Sequence, residues 1–402
     1  MSHSYKIKLV NVILSITVII YISSLIIFDL ESNVVYSNVI NVGFWGVSIV
    51  IFMLSGRRSL PKNIVFVRYL SFAIFAFSSV LWAYDVNLVL KYSLRLIVIL
   101  INIVVLFILF SRYDLKQSFL IGIIMGSFYN YMIAFNFVEV SYDTYEFGRF
   151  MGSVGNPNKL SKIMILSIFA SLMLLKIRER SFSAKLALYV NIVFAFLIVF
   201  LTASKQALIL APIFFIFSSK ININRLKPMF SLKLMFYVPV VFIIFYYSLS
   251  YIPEELLRFD LVTYRIEKFV AAYYENDIDA STADRQFLIS AGLSKFYENP
   301  ILGVGMNNFR YFFAKYAHNT YLELVVGLGI IGLVLFYSIH YTIIKKIIFM
   351  KTLITRRLLI MLVLVILALD FVTVTYLDKL VLLTLLFIYS IAEDDKIPLH
   401  ER

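Results

Sequence analysis

Apolar residues in this chain fall into runs of about twenty, separated by short polar breaks. Read as helices, the runs predict spans near residues 9–28, 34–54, 64–83, 88–110, 118–140, 159–175, 186–202, 206–217, 234–251, 320–341, 358–376 and 380–392. A bilayer core of about 30 Å takes roughly twenty residues of helix. The pattern therefore predicts an all-α polytopic integral membrane protein of about twelve transmembrane helices, organised as a single transmembrane domain over 1–402. One polar interval breaks the rhythm. Residues 252–319 form a loop of 68 residues between the ninth and tenth predicted spans, whereas most connections run about four to six residues. Within it, "LSKFYENPILGVGMNNFRYFF" alternates aromatic and polar residues around turns at Asn299-Pro300 and Gly303-Val304-Gly305. This predicts short helices lying against the outer membrane face.

Composition fixes the solvent. The chain is 61% hydrophobic and 15% charged, beyond what a soluble protein of this length reaches. The first apolar run, Leu9 to Phe28, is full length and lacks a small-residue cleavage site, so it reads as a span and not as a signal peptide. The absence of cysteine excludes disulfides and thiolate metal sites. A net charge of +13 raises nucleic acid as a partner, but in a membrane protein basic loops set orientation instead. With twelve spans, "SGRRSLPKN", "SRYDLKQ", "KIRERSFSAK", "SSKININRLKPMFSLK" and "KKIIFMKTLITRR" all fall on the side of Lys6 and Lys8. Both termini are thus expected in the cytoplasm, with 141–159 and 252–319 outside. No internal repeat or low-complexity tract stands out.

Five features carry candidate chemistry. In "YAHNTYLELVVGLGIIGLVLFY" the Thr320–Glu323 spacing is that of a capping box. A helix is expected from about Thr320, with His318 just ahead of it at the water boundary, where an imidazole exchanges protons near neutral pH. The plainer reading is an interfacial polar residue. In "GSVGNPNKLSK", Asn156 suits a cap and Pro157 the first helical position, leaving amides for an anion such as phosphate; the plainer reading is a capped transmembrane helix. In "LTASKQALIL", Lys205 sits in a tight turn where a cation must be solvated, paired or facing a cavity, unless it snorkels. Arg285 opens a helix in "STADRQFLISAGLSKFYENPILGVGMNNF" and taken alone is a surface arginine. Lys91 and Arg95, at i and i+4, share one face of the fourth predicted span.

In this order the blocks resemble the O-antigen ligase and polymerase superfamily, which builds surface polysaccharides on polyprenyl-diphosphate carriers. The resemblance runs through "GNPN" (155–158), "TASK", "DRQFLISAGLSKFYENPILGVGMNNF" and "HNTYLELVVGLGIIG", and covers roughly 150–340. The last two blocks are its most specific parts. It implies a GT-C-like membrane fold and transfer of a glycan from undecaprenyl diphosphate to a sugar hydroxyl, without nucleotide sugar, metal or other cofactor. It implies Arg285 and Lys205 at the diphosphate and His318, with an ordinary pKa near 6.5, as general base. Asn319 is expected to orient His318, and Asn156, Asn158, Asn319, Arg310, Arg95 and Lys91 complete the substrate-contacting set. Family members more often carry arginine at the position of Lys205, which keeps the charge but lacks the planar fork.

The expected partners are an undecaprenyl-diphosphate-linked oligosaccharide, membrane lipids, a chain-length regulator and a flippase, and no nucleic acid. The expected location is the bacterial inner membrane, with the active site on the periplasmic face. The "GNPN" and "NPILGVG" blocks resemble those of capsule and O-unit polymerases, and this resemblance favours a polymerase, which extends another lipid-linked repeat unit, over a ligase, which transfers to lipid A–core. A transporter would call for internal symmetry and several mid-span carboxylates, of which Asp370 is the chief candidate.

Overall fold

A computed structural model describes residues 3–30, 34–54, 63–146, 148–177, 179–218 and 280–395. These residues are almost entirely helical: α1 (His3–Ile27), α2 (Val34–Leu54), α3 (Ile64–Ser78), α4 (Val86–Arg112), α5 (Lys116–Ala134), α6 (Pro157–Ile177), α7 (Phe182–Leu201), α8 (Lys205–Ser218), α9 (Ala280–Glu298), α10 (Phe309–Phe313), α11 (Thr320–Ile348), α12 (Leu353–Leu369) and α13 (Lys379–Asp394). The only strands among them are β1 (Tyr145–Glu146) and β2 (Arg149–Phe150), paired antiparallel with Tyr145 opposite Phe150.

This is an all-α polytopic membrane protein. Seven helices among the described residues are long and apolar enough to cross a membrane: 9–27, 35–53, 64–81, 86–112, 157–177, 182–201 and 320–348. The predicted spans at 118–140, 206–217, 358–376 and 380–392 are also helices, of 19, 14, 17 and 16 residues. The predicted span 234–251 lies outside the described residues, as does the 252–279 part of the long loop. Val12, Ile16 and Ile20 are exposed on α1, a stripe suited to acyl chains and costly in water.

The chain divides into two compact units, 1–126 with 278–402, and 127–277. In the first, α1 packs on α5 through the small residues of "GIIMG". A Cβ on Gly122 would lie 2.7 Å from Ile22 Cβ, and one on Gly126 would lie 2.8 Å from Ile26 Cδ1. Ser23 Oγ adds a bond to the Gly122 carbonyl at 3.2 Å, so the two backbones approach as small-residue membrane helices do. The core joins α3, α11 and the segment before α13, with Phe72, Phe336 and Tyr376 meeting ring to ring. Helix starts are capped by side chains: Asn63 for α3, Asp85 for α4 and Asp378 for α13.

The helix that follows His318 differs from its expectation. The apolar run after His318 reads as one continuous span, but α11 is interrupted at Gly329, whose φ of 63 and ψ of −167 are not helical. The "NPILGVG" loop fills the break. Val304 N–H donates to the Val326 carbonyl (2.9 Å), Gly305 N–H to Gly327 (2.8 Å) and Ile330 N–H to Pro300 (2.9 Å). Backbone groups freed at membrane depth must be satisfied by protein, and this loop supplies the partners. The loop is tied equally to the corner between α3 and α4. Ser79 Oγ accepts from Met306 N–H at 3.0 Å, Asn308 Oδ1 accepts from Asp85 N–H at 2.6 Å, and Tyr84 N–H donates to Val304 at 3.4 Å.

The predicted span 358–376 also needs correction. Its helix ends at Leu369, and Asp370 is the residue capping its C-terminus, not a mid-span carboxylate. Asp370 is fully buried and accepts from Tyr337 Oη (2.8 Å) and from the Thr375 hydroxyl.

In the second unit α6 is buried nearly all round, packed against α7 and α8. Asn191 of α7 donates to Ser167 (3.0 Å) and Ser171 (2.8 Å) of α6, and Tyr131 Oη donates to Asn191 Oδ1 at 3.0 Å. These are interhelical polar bonds of the kind that join membrane helices.

Candidate functional site

The first unit holds His318. The start of α11 is fixed from three directions. Thr320 N–H donates to the Asp370 carbonyl at 2.7 Å, and the Thr320 hydroxyl to Thr373 O at 2.7 Å. Asn319 Oδ1 accepts Leu322 N–H at 3.0 Å, and Glu323 Oε2 accepts Ala317 N–H at 2.8 Å. The helix therefore begins at Thr320 as expected, but the capping residue is Asn319 and not Thr320. The physical reason is that the Thr320 hydroxyl faces the Asp370–Thr375 cluster and finds better partners there. Asn319, expected to orient His318, spends its side-chain oxygen on the helix end.

Between these anchors His318 takes a left-handed conformation, φ 52, and is half-buried. Its ring lies tilted against that of Tyr316, with centroids 3.9 Å apart. Arg310, on α10, lies over Tyr316 (5.1 Å) and over Tyr92 of α4 (5.6 Å). Such placements draw a guanidinium toward the ring faces. Burial, followed by the positive charge of Arg285, pushes the His318 imidazole down to about 4; Lys315 and Arg310 act the same way, and Asp284 opposes them. Asp284 is itself paired with Lys315 at 2.8 Å. The ordinary value near 6.5 is thus corrected downward, which favours the neutral imidazole near neutral pH.

Arg285, Arg310 and His318 come together as expected, although Arg285 lies in the second turn of α9 and does not open it, since the helix begins at Ala280. Arg95 reaches the same region: it acts, with Arg310, Tyr92 and Glu323, on the buried Tyr376 hydroxyl. Lys91 sits at the edge, exposed, 5.7 Å from the Tyr92 ring. Two members escaped the sequence reading. Tyr316 was passed over as one aromatic among many, and Glu323 was read only as half of a capping box.

The second unit holds the other expected residues. Pro157 does start α6, and Asn156 Oδ1 accepts Lys159 N–H at 3.0 Å, so the cap is confirmed and that amide is taken. Lys205 is the first residue of α8, after a turn in which Ala203 has φ 45. The "GNPN" and "TASK" blocks are joined by a residue the sequence reading did not select. Arg149, on β2, donates to Asn158 Oδ1 at 2.8 Å through Nη2 and to the Thr202 carbonyl at 3.0 Å through Nε. Its signal was present, a cation six residues before Gly155, but only the fold brings it to both turns.

In this helical membrane protein a histidine is thus set among arginines just ahead of a helix start. Residues 190–337 match a family model described as O-antigen ligase. The match supports the O-antigen ligase/polymerase superfamily and contains Lys205, Arg285, Arg310, His318 and Asn319; Asn156, Asn158, Lys91 and Arg95 precede it. No curated protein matches the chain.

Proposed function

We propose that this protein is a surface-polysaccharide polymerase. It transfers a glycan from undecaprenyl diphosphate to the terminal sugar hydroxyl of another lipid-linked repeat unit, on the periplasmic face of a bacterial inner membrane. The observation that carries the reading is His318, neutral and held in a left-handed turn beside Arg285 and Arg310. In the proposed reaction the acceptor hydroxyl oxygen attacks the anomeric carbon, and the bond from that carbon to the diphosphate oxygen breaks. The diphosphate leaves as an anion held by Arg285 through charge-assisted hydrogen bonds, with Arg310 and Arg95 adding positive potential; Lys205 is carried as a further diphosphate cation by the family resemblance alone. The hydroxyl proton passes to the free nitrogen of His318. Arg285 and Arg310, which add to burial in holding the imidazole low, are also offered to the donor. An arriving diphosphate offsets their pull and raises the proton affinity of His318 when a base is needed. No nucleotide sugar, metal or other cofactor enters the proposed reaction.

A ligase that transfers to lipid A–core is the second reading, favoured by the description of the matched family model. Deleting the gene and running the cell's glycolipids on a gel separates the two. A single repeat unit left on lipid A–core supports the polymerase, and loss of all glycan from lipid A–core supports the ligase. Purified protein that extends no lipid-linked repeat unit and glycosylates no lipid A–core overturns both.

A further inference from the structure

The left-handed backbone of His318 is one that a residue with a Cβ keeps only when its surroundings hold it. On its C-terminal side the restraint is the Asn319 cap. On its N-terminal side the restraint is Glu323, reaching back from the first turn of α11 to the Ala317 N–H at 2.8 Å. Ala317 and Glu323 are both buried, 3% and 1% exposed, and Ala317 packs with Leu322, Val326, Phe309 and Leu288 in an apolar cluster. The second carboxylate oxygen, Oε1, is buried with no hydrogen-bond partner among the described residues. Burying a carboxylate with one oxygen unsatisfied is unfavourable, and capping a helix does not require it, since an exposed glutamate serves as well. The charge of Arg310 acts on Glu323. That arginine covers Tyr316, against which the His318 ring packs. Glu323 thus grips the residue just before His318 and lies within the field of the arginine that covers Tyr316.

We propose that Glu323 is a positioning residue for His318: by gripping the Ala317 N–H it closes the turn that holds the imidazole in place. The inference rests on His318 as the base of the proposed transfer. The test uses the full-length purified protein in detergent, with a lipid-linked repeat unit as substrate and initial rates from the glycan ladder. Glu323→Gln keeps an acceptor oxygen at the right reach, so its kcat stays within about 3-fold of the parent. Glu323→Asp keeps the charge but is one methylene too short for Ala317, and its kcat falls by about 10-fold or more with KM little changed. Glu323→Ala falls alike, and adds no further loss in a His318→Ala background, because residues acting as a unit are not additive.

An active Asp variant with an inactive Gln variant overturns the proposal, since charge and not the bond would then matter. So does an equal loss from Glu323→Ala with and without His318, or a Glu323→Ala enzyme that works normally. Should Glu323→Ala fail to accumulate, the Gln and Asp pair decides. A fully active His318→Ala enzyme brings down the base reading itself, whereas an inactive His318→Ala beside a normal Glu323→Ala sinks only the positioning role.

Discussion

Replacing Gly329 by alanine tests whether the break in α11 organises the site. A Cβ there would lie 2.1 Å from the Ile301 carbonyl oxygen and 2.3 Å from its carbonyl carbon, and both of these are backbone atoms that no rotamer change can move. The φ of 63 with ψ of −167 is a region open in practice to glycine alone, costing other residues about 1–3 kcal/mol. Overpacking adds about 1–3 kcal/mol. The three backbone bonds across the break are each worth about 0.5–1.5 kcal/mol, and relief of the clash stretches at least one. A loss of about 2.5–7.5 kcal/mol follows, a large share of a typical stability of roughly 5–15. Taken at about 2–4 °C per kcal/mol, the apparent Tm in detergent should fall by on the order of 10 °C. Activity should fall with it, because the displaced 301–308 loop leads directly into Arg310. Gly46→Ala is the matched control: a Cβ there meets nothing within 4 Å, so Tm should hold or rise slightly. The assay is thermal unfolding followed by size-exclusion of the surviving monodisperse protein. A Gly329→Ala protein melting within about 2 °C of the parent would refute this account of the break.

Further outcomes concern the charged groups. His318→Ala should lower polymerisation by about 10²–10⁴-fold while donor binding persists, and the buried His340 should tolerate Gln; a normal glycan ladder from His318→Ala leaves that residue only a helix-end role. With His318 held down to about 4 by burial and by Arg285, its resonances in histidine-labelled protein should titrate near that value. In the Arg285→Ala protein, which should also lose activity, the midpoint should move upward. Because the folded value lies below the unfolded one, His318 contributes stability that is present above about pH 6.5 and lost as pH falls toward about 4. A midpoint between 6 and 7 in the parent contradicts the burial and charge argument. Lys205→Arg should retain transfer activity in the same assay, since both are cations able to donate to phosphate, and its loss would show that the lysine's shape matters. A reporter fused at Lys346 should read as cytoplasmic, and a periplasmic signal there breaks the orientation drawn from the basic loops.

Hydrophobic runs by themselves determined the class of this protein, because twenty apolar residues have one common use and a helix in lipid satisfies its own backbone. Local chemistry was equally legible: Pro157 after Asn156 announced the start of α6, and the polar triplet before Thr320 marked the start of α11. Long-range pairing was not legible. Thr320 looked like the cap until Asp370 and Thr375, some fifty residues away, claimed its hydroxyl. Gly329 looked like one more small residue in an apolar run, since what breaks α11 is the backbone of 300–305 inserting beside it. Arg149 and Glu323 had unremarkable positions in the chain, and only folding placed one across two turns and the other beneath His318. A pKa shows the same division. The identity of His318 is written in the sequence, but its proton affinity depends on burial and on arginines from other helices, and electrostatic energy depends on distances in space that the order of residues does not contain.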